Sequence, residues 1–265
     1  MYLDKESYKI FYKDSGEKDK PVIIFIHGFP LDHTMWENSY KYFQKTHRTI
    51  AYDIRGLGKS TLNQLPFTFE FLVDDLFDLM NHLDVHKVIL AGLSMGGYIA
   101  LRAAQRKPEK FSAMVLCNTQ PKGDNNQSLL GRYQNIRIVN EQGIDVLAKK
   151  FLHAFISQAT IEHKKEIAEA FLQTVNHQNT EGILFMLTAL ATRTDTSESL
   201  SHLTVPVLVV SGENDSLTPP TLMKEMVDQI SGCVFKIIPS VGHISVMENP
   251  EAFNAILEAF LINLN

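Results

Sequence analysis

The sequence predicts an α/β protein: a mostly parallel sheet with helices on both faces and a helical insertion before its last strands. Three patterns in the 265 residues carry that prediction. Short, unbroken, β-branched apolar runs recur, as strands buried on both faces of a parallel sheet require. Segments of helical period separate them, and strand–helix alternation of this kind builds a parallel sheet. One stretch of about 80 residues, Gln120 to His202, contains helical periodicity and no convincing β run.

Taken in order, Tyr8 to Tyr12 reads as an N-terminal edge strand, and Val22-Ile-Ile-Phe-Ile26 is the first clear buried strand. Comparable runs follow at Thr49–Tyr52, Lys87–Leu90, Ala113–Cys117, Val207–Val210 and Val234–Ile238. Between them, Leu72, Leu76, Leu79, Met80 and Leu83 fall on one helix face, with Asp74, Asp75 and Asp78 expected on the other. Met95 to Arg106 is rich in helix formers and stops before Pro108. Inside the insertion, Ala168, Phe171, Leu172 and Val175 repeat at helical spacing, as do Ile183, Met186, Leu187, Leu190 and Ala191. Pro219 to Ile230 is a helix opened by prolines, and Phe253, Ile256, Leu257, Phe260 and Leu261 mark a terminal amphipathic helix. The expected organisation is a core from residues 1–119 and 203–265 with a helical cap, 120–202, set over the sheet edge where ligands bind in open α/β folds.

Composition narrows the function. Apolar residues make up 45% and charged residues 21% of the chain, ordinary for a globular protein. A net charge of −5 argues against nucleic acid as a partner. Apolar runs such as Val22–Ile26 are far too short for a membrane span, and the N-terminus lacks the pattern of a secretory signal. The two cysteines, Cys117 and Cys233, exclude a disulfide framework or a Cys-rich zinc site. They read as packing residues in a reducing, cytoplasmic setting.

The chemistry begins at Gly92-Leu-Ser94-Met-Gly96-Gly97, which follows an apolar strand and opens a helix. Gly-x-Ser-x-Gly in that context is a nucleophile elbow. The serine must stand on a strained turn with its hydroxyl above the sheet, so the flanking Gly92 and Gly96 must lack a Cβ. The helix start supplies free N–H groups and a positive dipole end, making the Met95 N–H one candidate oxyanion donor. The second is the Phe29 N–H, in the His27-Gly28-Phe29-Pro30 loop after strand 22–26. Pro30 has no N–H and stiffens that loop. His27 reads as a buried histidine holding it.

A serine needs a base, and the base needs an orienting group. Among ten histidines, His243 stands apart: Ser240-Val-Gly242-His243 follows the last strand and emerges at the same sheet edge as Ser94. Between Ser94 and His243 in chain order, Asp215 lies three residues beyond Gly212 at the end of strand 207–210. It doubles as a possible N-cap or Asx turn before the next helix. Glu213 is its local rival and Asp124 a remoter one, while the loop Cys117-Asn118-Thr119 offers no carboxylate.

These residues, with the segment Asp53-Ile-Arg55-Gly56-Leu-Gly58-Lys-Ser60, resemble the α/β-hydrolase family over nearly the whole chain. The resemblance implies an eight-stranded sheet whose second strand is antiparallel, and it assigns Asp53 and Arg55 to a structural hydrogen-bond network. Within the family, Gly-Leu-Ser-Met-Gly-Gly and His-Gly-Phe-Pro-Leu are similar to small esterases, enol-lactonases and cofactor-free haloperoxidases or perhydrolases. Ser94 departs from the aspartate of haloalkane dehalogenases and epoxide hydrolases, and from the cysteine of dienelactone hydrolases.

The expected function is therefore a serine hydrolase of a small carboxylic ester or lactone, with Ser94, Asp215 and His243 as triad and Phe29 and Met95 as oxyanion donors. No metal or organic cofactor is required. A perhydrolase or haloperoxidase-type activity on the same triad, or a catalytically idle ligand-binding protein, are the alternatives. Trp36, Phe151, Phe155, Phe185 and Met186 are candidates for the substrate pocket, although aromatic and Met residues at helical spacing are more often plain core. Arg132 and Arg137 are positioned to pair with an acidic substrate, against the usual reading of an exposed helix arginine as solvated. Nothing in the sequence speaks to the oligomeric state.

Overall fold

The computed structural model describes residues 1–63 and 66–264. Its strands are β1 (Tyr2–Asp4), β2 (Lys9–Asp14), β3 (Val22–Ile26), β4 (Arg48–Tyr52), β5 (Val88–Leu93), β6 (Phe111–Cys117), β7 (Val207–Gly212) and β8 (Val234–Ile238). They form one sheet in the order β1-β2-β4-β3-β5-β6-β7-β8, parallel from β4 to β8, with β2 antiparallel to both its neighbours. This is the eight-stranded, mostly parallel architecture expected. Tyr8–Tyr12 was expected at the edge, but β2 lies inside it, because the short β1 pairs along its outer side through Leu3 and Ile10.

Apolar continuity explains the central strands. Ile23, Ile24, Phe25 and Ile26 of β3 are fully buried between β4 and β5, with Ile24 opposite both Ile50 and Leu90. Each such side chain contributes roughly 1.5–3 kcal/mol of burial. The helices are α1 (Glu37–Phe43), α2 (Phe69–His82), α3 (Met95–Arg106), α4 (Asn126–Gln142), α5 (Ile144–Phe155), α6 (Gln158–His163), α7 (Lys165–Asn176), α8 (Thr180–Ala191), α9 (Pro220–Val227), α10 (Ser245–Glu248) and α11 (Pro250–Ile262). In α2 the predicted face is buried through Leu72, Leu76, Leu79 and Met80. Asp75, expected on the solvent side, is buried as well: the Arg55 guanidinium reaches in and meets both its carboxylate oxygens at 2.6 Å. The α9 helix ends at Val227, three residues before the predicted limit, where Asp228 takes the C-cap position.

Residues between β6 and β7 are helical: α4 to α8, then a 3-10 turn at Ser197–His202. The predicted core of α7 and α8 is present, with Ala168, Phe171, Val175, Ile183, Met186 and Leu190 buried. Among the described residues no helix is long and apolar enough to cross a membrane. Cys117 is buried and Cys233 half-buried, both unpaired; burial raises both thiols, Cys233 to about 11.

The topology fixes where chemistry can occur. From β3 the chain moves to one side for β4, then crosses to the other for β5. The loops at the C-terminal ends of β3 and β5 therefore leave in the crevice at this switch point. Ile26 pairs with Gly92, so the residues following β3 start out beside Ser94. Further along the same edge, Cys117 pairs with both Leu93 and Val210. This puts Asn118 between the Ser94 turn and the loop that follows β7.

Candidate active site

Ser94 sits between β5 and α3 with φ +53°, a left-handed conformation that L-residues adopt at a cost of about 1–3 kcal/mol. The turn is held on each side. Ser94 N–H donates to the Cys117 carbonyl at 2.9 Å, and the Ser94 carbonyl accepts from Tyr98 N–H at 3.1 Å and Thr119 Oγ1 at 2.9 Å. Close approach explains the glycines: a Cβ on Gly92 would collide with the Gly96 carbonyl, and one on Gly96 with the Ile26 carbonyl.

The β3 loop leans on this elbow. A Cβ on Gly28 would stand 3.4 Å from that of Ser94. His27 is buried and holds the loop: its Nε2 accepts from Ile54 N–H at 2.9 Å, which leaves Nδ1–H to donate to the Gly28 carbonyl at 3.0 Å. Burial lowers its pKa, favouring the neutral ring this pattern needs. Phe29 and Met95 both line the cleft with Ser94. Met95 opens α3, where a backbone N–H has no carbonyl one turn back to bind. Among the described residues neither the Phe29 nor the Met95 N–H has a protein acceptor.

His243 and Asp215 come together from the loops after β8 and β7. His243 Nδ1 lies 2.9 Å from Asp215 Oδ2, with both side chains almost fully buried. The acid is heavily solvated by protein. Oδ1 accepts the N–H groups of Leu217 (2.8 Å) and Thr218 (3.0 Å), and Oδ2 accepts from Thr218 Oγ1 (2.6 Å) and Asn118 Nδ2 (2.8 Å). Burial pushes this carboxyl upward, but the His243 charge and the bonds from His243, Thr218 and Asn118 outweigh it and hold the pKa well below the usual carboxylate range. An ionised Asp215 accepts Nδ1–H, which in the neutral ring is the tautomer that leaves Nε2 as an acceptor. The predicted Asx-turn role is real too: Oδ1 opens the turn into Thr218.

The rival carboxylates are engaged elsewhere. Glu213 accepts the Ser240 N–H at 2.8 Å. Asp124 is buried between Arg132 and Arg193, and Arg193 lies over the Tyr98 ring at 4.3 Å. Asp53 accepts from His33 N–H and Nδ1, both at 2.7 Å, and from Lys59 N–H at 2.8 Å. Asp32, His33 and Asp53 cluster as metal ligands would, yet the Asp53 oxygens are taken by those donors and Asp32 caps the turn at Thr34. The group reads as a structural network.

The cleft has a volume of about 220 Å³ and is lined by Ser94, Phe29, Met95 and His243 together with Phe151, Phe155, Arg132 and Arg193. A larger groove of about 580 Å³ runs between β8 and α11, lined by Val234, Lys236, Ile256 and Phe260; Ser94, Asp215 and His243 are not among its described lining residues. Of the predicted pocket residues, Phe151 and Phe155 stack at 4.9 Å on the wall of the smaller cleft. Trp36 does not reach it: the ring is fully buried against Phe25 and Phe253. Phe185 turns toward Phe67, and Met186 is interior, because only Leu187 and Leu190 of α8 face the cleft. Arg132 lines the cleft, whereas Arg137 is exposed and pairs with Glu141 one turn on.

Sequence reasoning missed Asn118, Thr218 and Glu248. Asn118 donates to Asp215 and accepts from Ser245 Oγ at 2.6 Å; only the neighbouring strand ends reveal it.

A family profile described as alpha/beta hydrolase fold matches residues 21–250. The chain is 29% identical to 3-oxoadipate enol-lactonase 2 of Acinetobacter baylyi, over 99% of this chain and 97% of that protein. Its structure is similar to a thermophilic esterase from Thermogutta terrifontis solved with malate bound (TM-score 0.92, 30% identity, covering 97% and 94% of the two chains). It is also similar to the enol-lactonase from Burkholderia xenovorans LB400 (TM-score 0.91, 25% identity, 99% and 100%).

Proposed function

The chain belongs to the α/β-hydrolase family, and from that premise we propose that it is a serine hydrolase cleaving small carboxylic esters or lactones through an acyl-enzyme. The observation that carries this reading is the hydrogen-bonded Asp215–His243 pair opening onto the same cleft as Ser94. The enol-lactonases and the esterase among its relatives support the substrate class.

In this reading Ser94 Oγ attacks the carbonyl carbon while His243 Nε2 takes its proton, and Asp215 stabilises the imidazolium that forms. The N–H groups of Phe29 and Met95 receive the developing oxyanion, each contributing on the order of 3 kcal/mol to lowering the barrier. Collapse expels the alkoxide, which His243 protonates. Water then attacks the acyl-enzyme, His243 takes the water proton and returns it to Ser94, and the acid departs. No step calls for a metal or organic cofactor. A volume below the roughly 300 Å³ at which drug-sized sites begin suits a short acyl group.

Residues 120–202 act as the cap over this cleft, supplying Phe151, Phe155 and Arg132. Two guanidiniums, Arg132 and Arg193, face one carboxylate, Asp124, among the described lining residues. Their surplus positive charge favours a substrate bearing an acid group of its own. The malate bound to the Thermogutta terrifontis esterase is a ligand of that kind.

Ser94→Ala tests the reading. The variant keeps its fold by circular dichroism and loses hydrolysis of p-nitrophenyl acyl esters, and a fluorophosphonate labels the wild type at Ser94 only. Full activity in the alanine variant sinks the assignment. Absence of labelling in the wild type favours an idle binding protein.

A further inference from the structure

Glu248 is fully buried, and the mechanism above gives it no role. Its two carboxylate oxygens join two parts of the chain. Oε1 accepts the N–H of Gly242, the residue before His243, at 2.8 Å. Oε2 accepts the N–H of Ser157, between α5 and α6, at 3.0 Å. The same two segments are joined again around it. The Phe155 carbonyl accepts His243 N–H at 2.7 Å, and Ser157 Oγ donates to the Ser240 carbonyl at 2.9 Å. The fit is close: a Cβ on Gly242 would stand 2.7 Å from the Phe155 carbonyl oxygen and 2.8 Å from Ser157 N. The Phe155 ring meets the His243 imidazole edge-on, with centroids 5.1 Å apart.

We propose that Glu248 is a positioning residue for the general base: its carboxylate locks the Gly242–His243 backbone to the α5–α6 turn, so this turn is a fixed part of the catalytic frame rather than a movable lid. The inference rests on the serine-hydrolase reading. The need for a carboxylate follows from donor counting. Both partners are backbone N–H groups, and a carboxylate offers an acceptor to each. An amide of the same shape offers one acceptor and one donor, so one N–H would face an N–H. The histidine loop would then shift without any loss of packing volume.

Glu248→Gln is therefore the test, read by steady-state kinetics on a p-nitrophenyl ester and by the rate of fluorophosphonate labelling at Ser94. A displaced base lowers kcat and the labelling rate by about 10- to 100-fold, while KM stays within about twofold because the substrate walls are untouched. A well-folded Gln variant with wild-type kcat and labelling overturns the proposal, as does a variant whose loss lies in KM alone. Should the Gln variant not fold, Ser157→Ala takes its place: it removes the hydroxyl that donates to the Ser240 carbonyl, the other side-chain tie between the two segments, together with its cap on the Thr160 N–H. A several-fold lower kcat at unchanged KM supports the proposal, and an unchanged kcat overturns it. Wild-type protein that neither hydrolyses esters nor reacts with the probe overturns the serine-hydrolase reading, and this inference with it. An active wild type matched by its Gln variant overturns this inference alone.

Discussion

The two flanks of the cleft are built differently. On one side, the α5–α6 turn is bound to the histidine loop at its backbone: the Phe155 carbonyl accepts the His243 N–H, and the N–H groups of Ser157 and Gly242 meet on the buried Glu248 carboxylate. On the other, α4 buries only Val139 fully and reaches the cleft through side chains, chiefly Arg132 against Asp124. Buried bonds to backbone groups, closed by one internal carboxylate, hold a position closely. A charge pair on a half-exposed helix fixes a sign and a direction. On the proposed function, the difference teaches that one flank serves the reaction and the other its choice of substrate.

Three measurements can break or sharpen that contrast. The largest effect belongs to the fixed flank. Asp215→Asn keeps the shape of the acid loop but presents an amide to His243 and disfavours the tautomer with Nε2 free. It should lower kcat by about 10⁴-fold on every ester tested. A loss that depended on the substrate would undo the division. Arg132→Ala, on the other flank, should act selectively: about 10- to 100-fold in kcat/KM for esters carrying a carboxylate, and little for neutral ones. An equal loss on both classes would place α4 in the chemistry.

The smallest effect is on stability. Because the Asp215 carboxyl is held below its ordinary range in the folded protein, its ionised form stabilises the fold fully above the unfolded value and progressively less as the pH falls towards the folded one. The Tm difference between wild type and Asp215→Asn should therefore be constant from neutral pH down to about pH 5 and shrink below about pH 4. A difference that grew in acid would mean the carboxyl is not stabilised as an anion.

Much of this was legible in the chain. The runs at 22–26, 113–117 and 207–210 announced buried strands because both faces of a parallel sheet need apolar cover. Gly92 and Gly96 announced a tight turn because no other residue tolerates such contact. Asp75 was misjudged because helical period gives a side chain's direction, not what waits there; Arg55 comes from a loop 20 residues away. Trp36 and Met186 were misplaced for the same reason: an aromatic or Met near a site in sequence points toward the core as readily as toward the cleft.

The sequence by itself determined the strand–helix order, the strained serine turn, the acid and histidine loops at one sheet edge, and the helical insertion. These are written in local signals: apolar period, glycine where a Cβ cannot fit, and motif order along the chain. Tertiary structure alone decided which groups hold those loops. Asn118 reaches Asp215 from 97 residues away, and Glu248 reaches Ser157 across 91. No local pattern encodes such partners, because they depend on which strand ends lie side by side and on which buried N–H groups are left for a distant acceptor to satisfy.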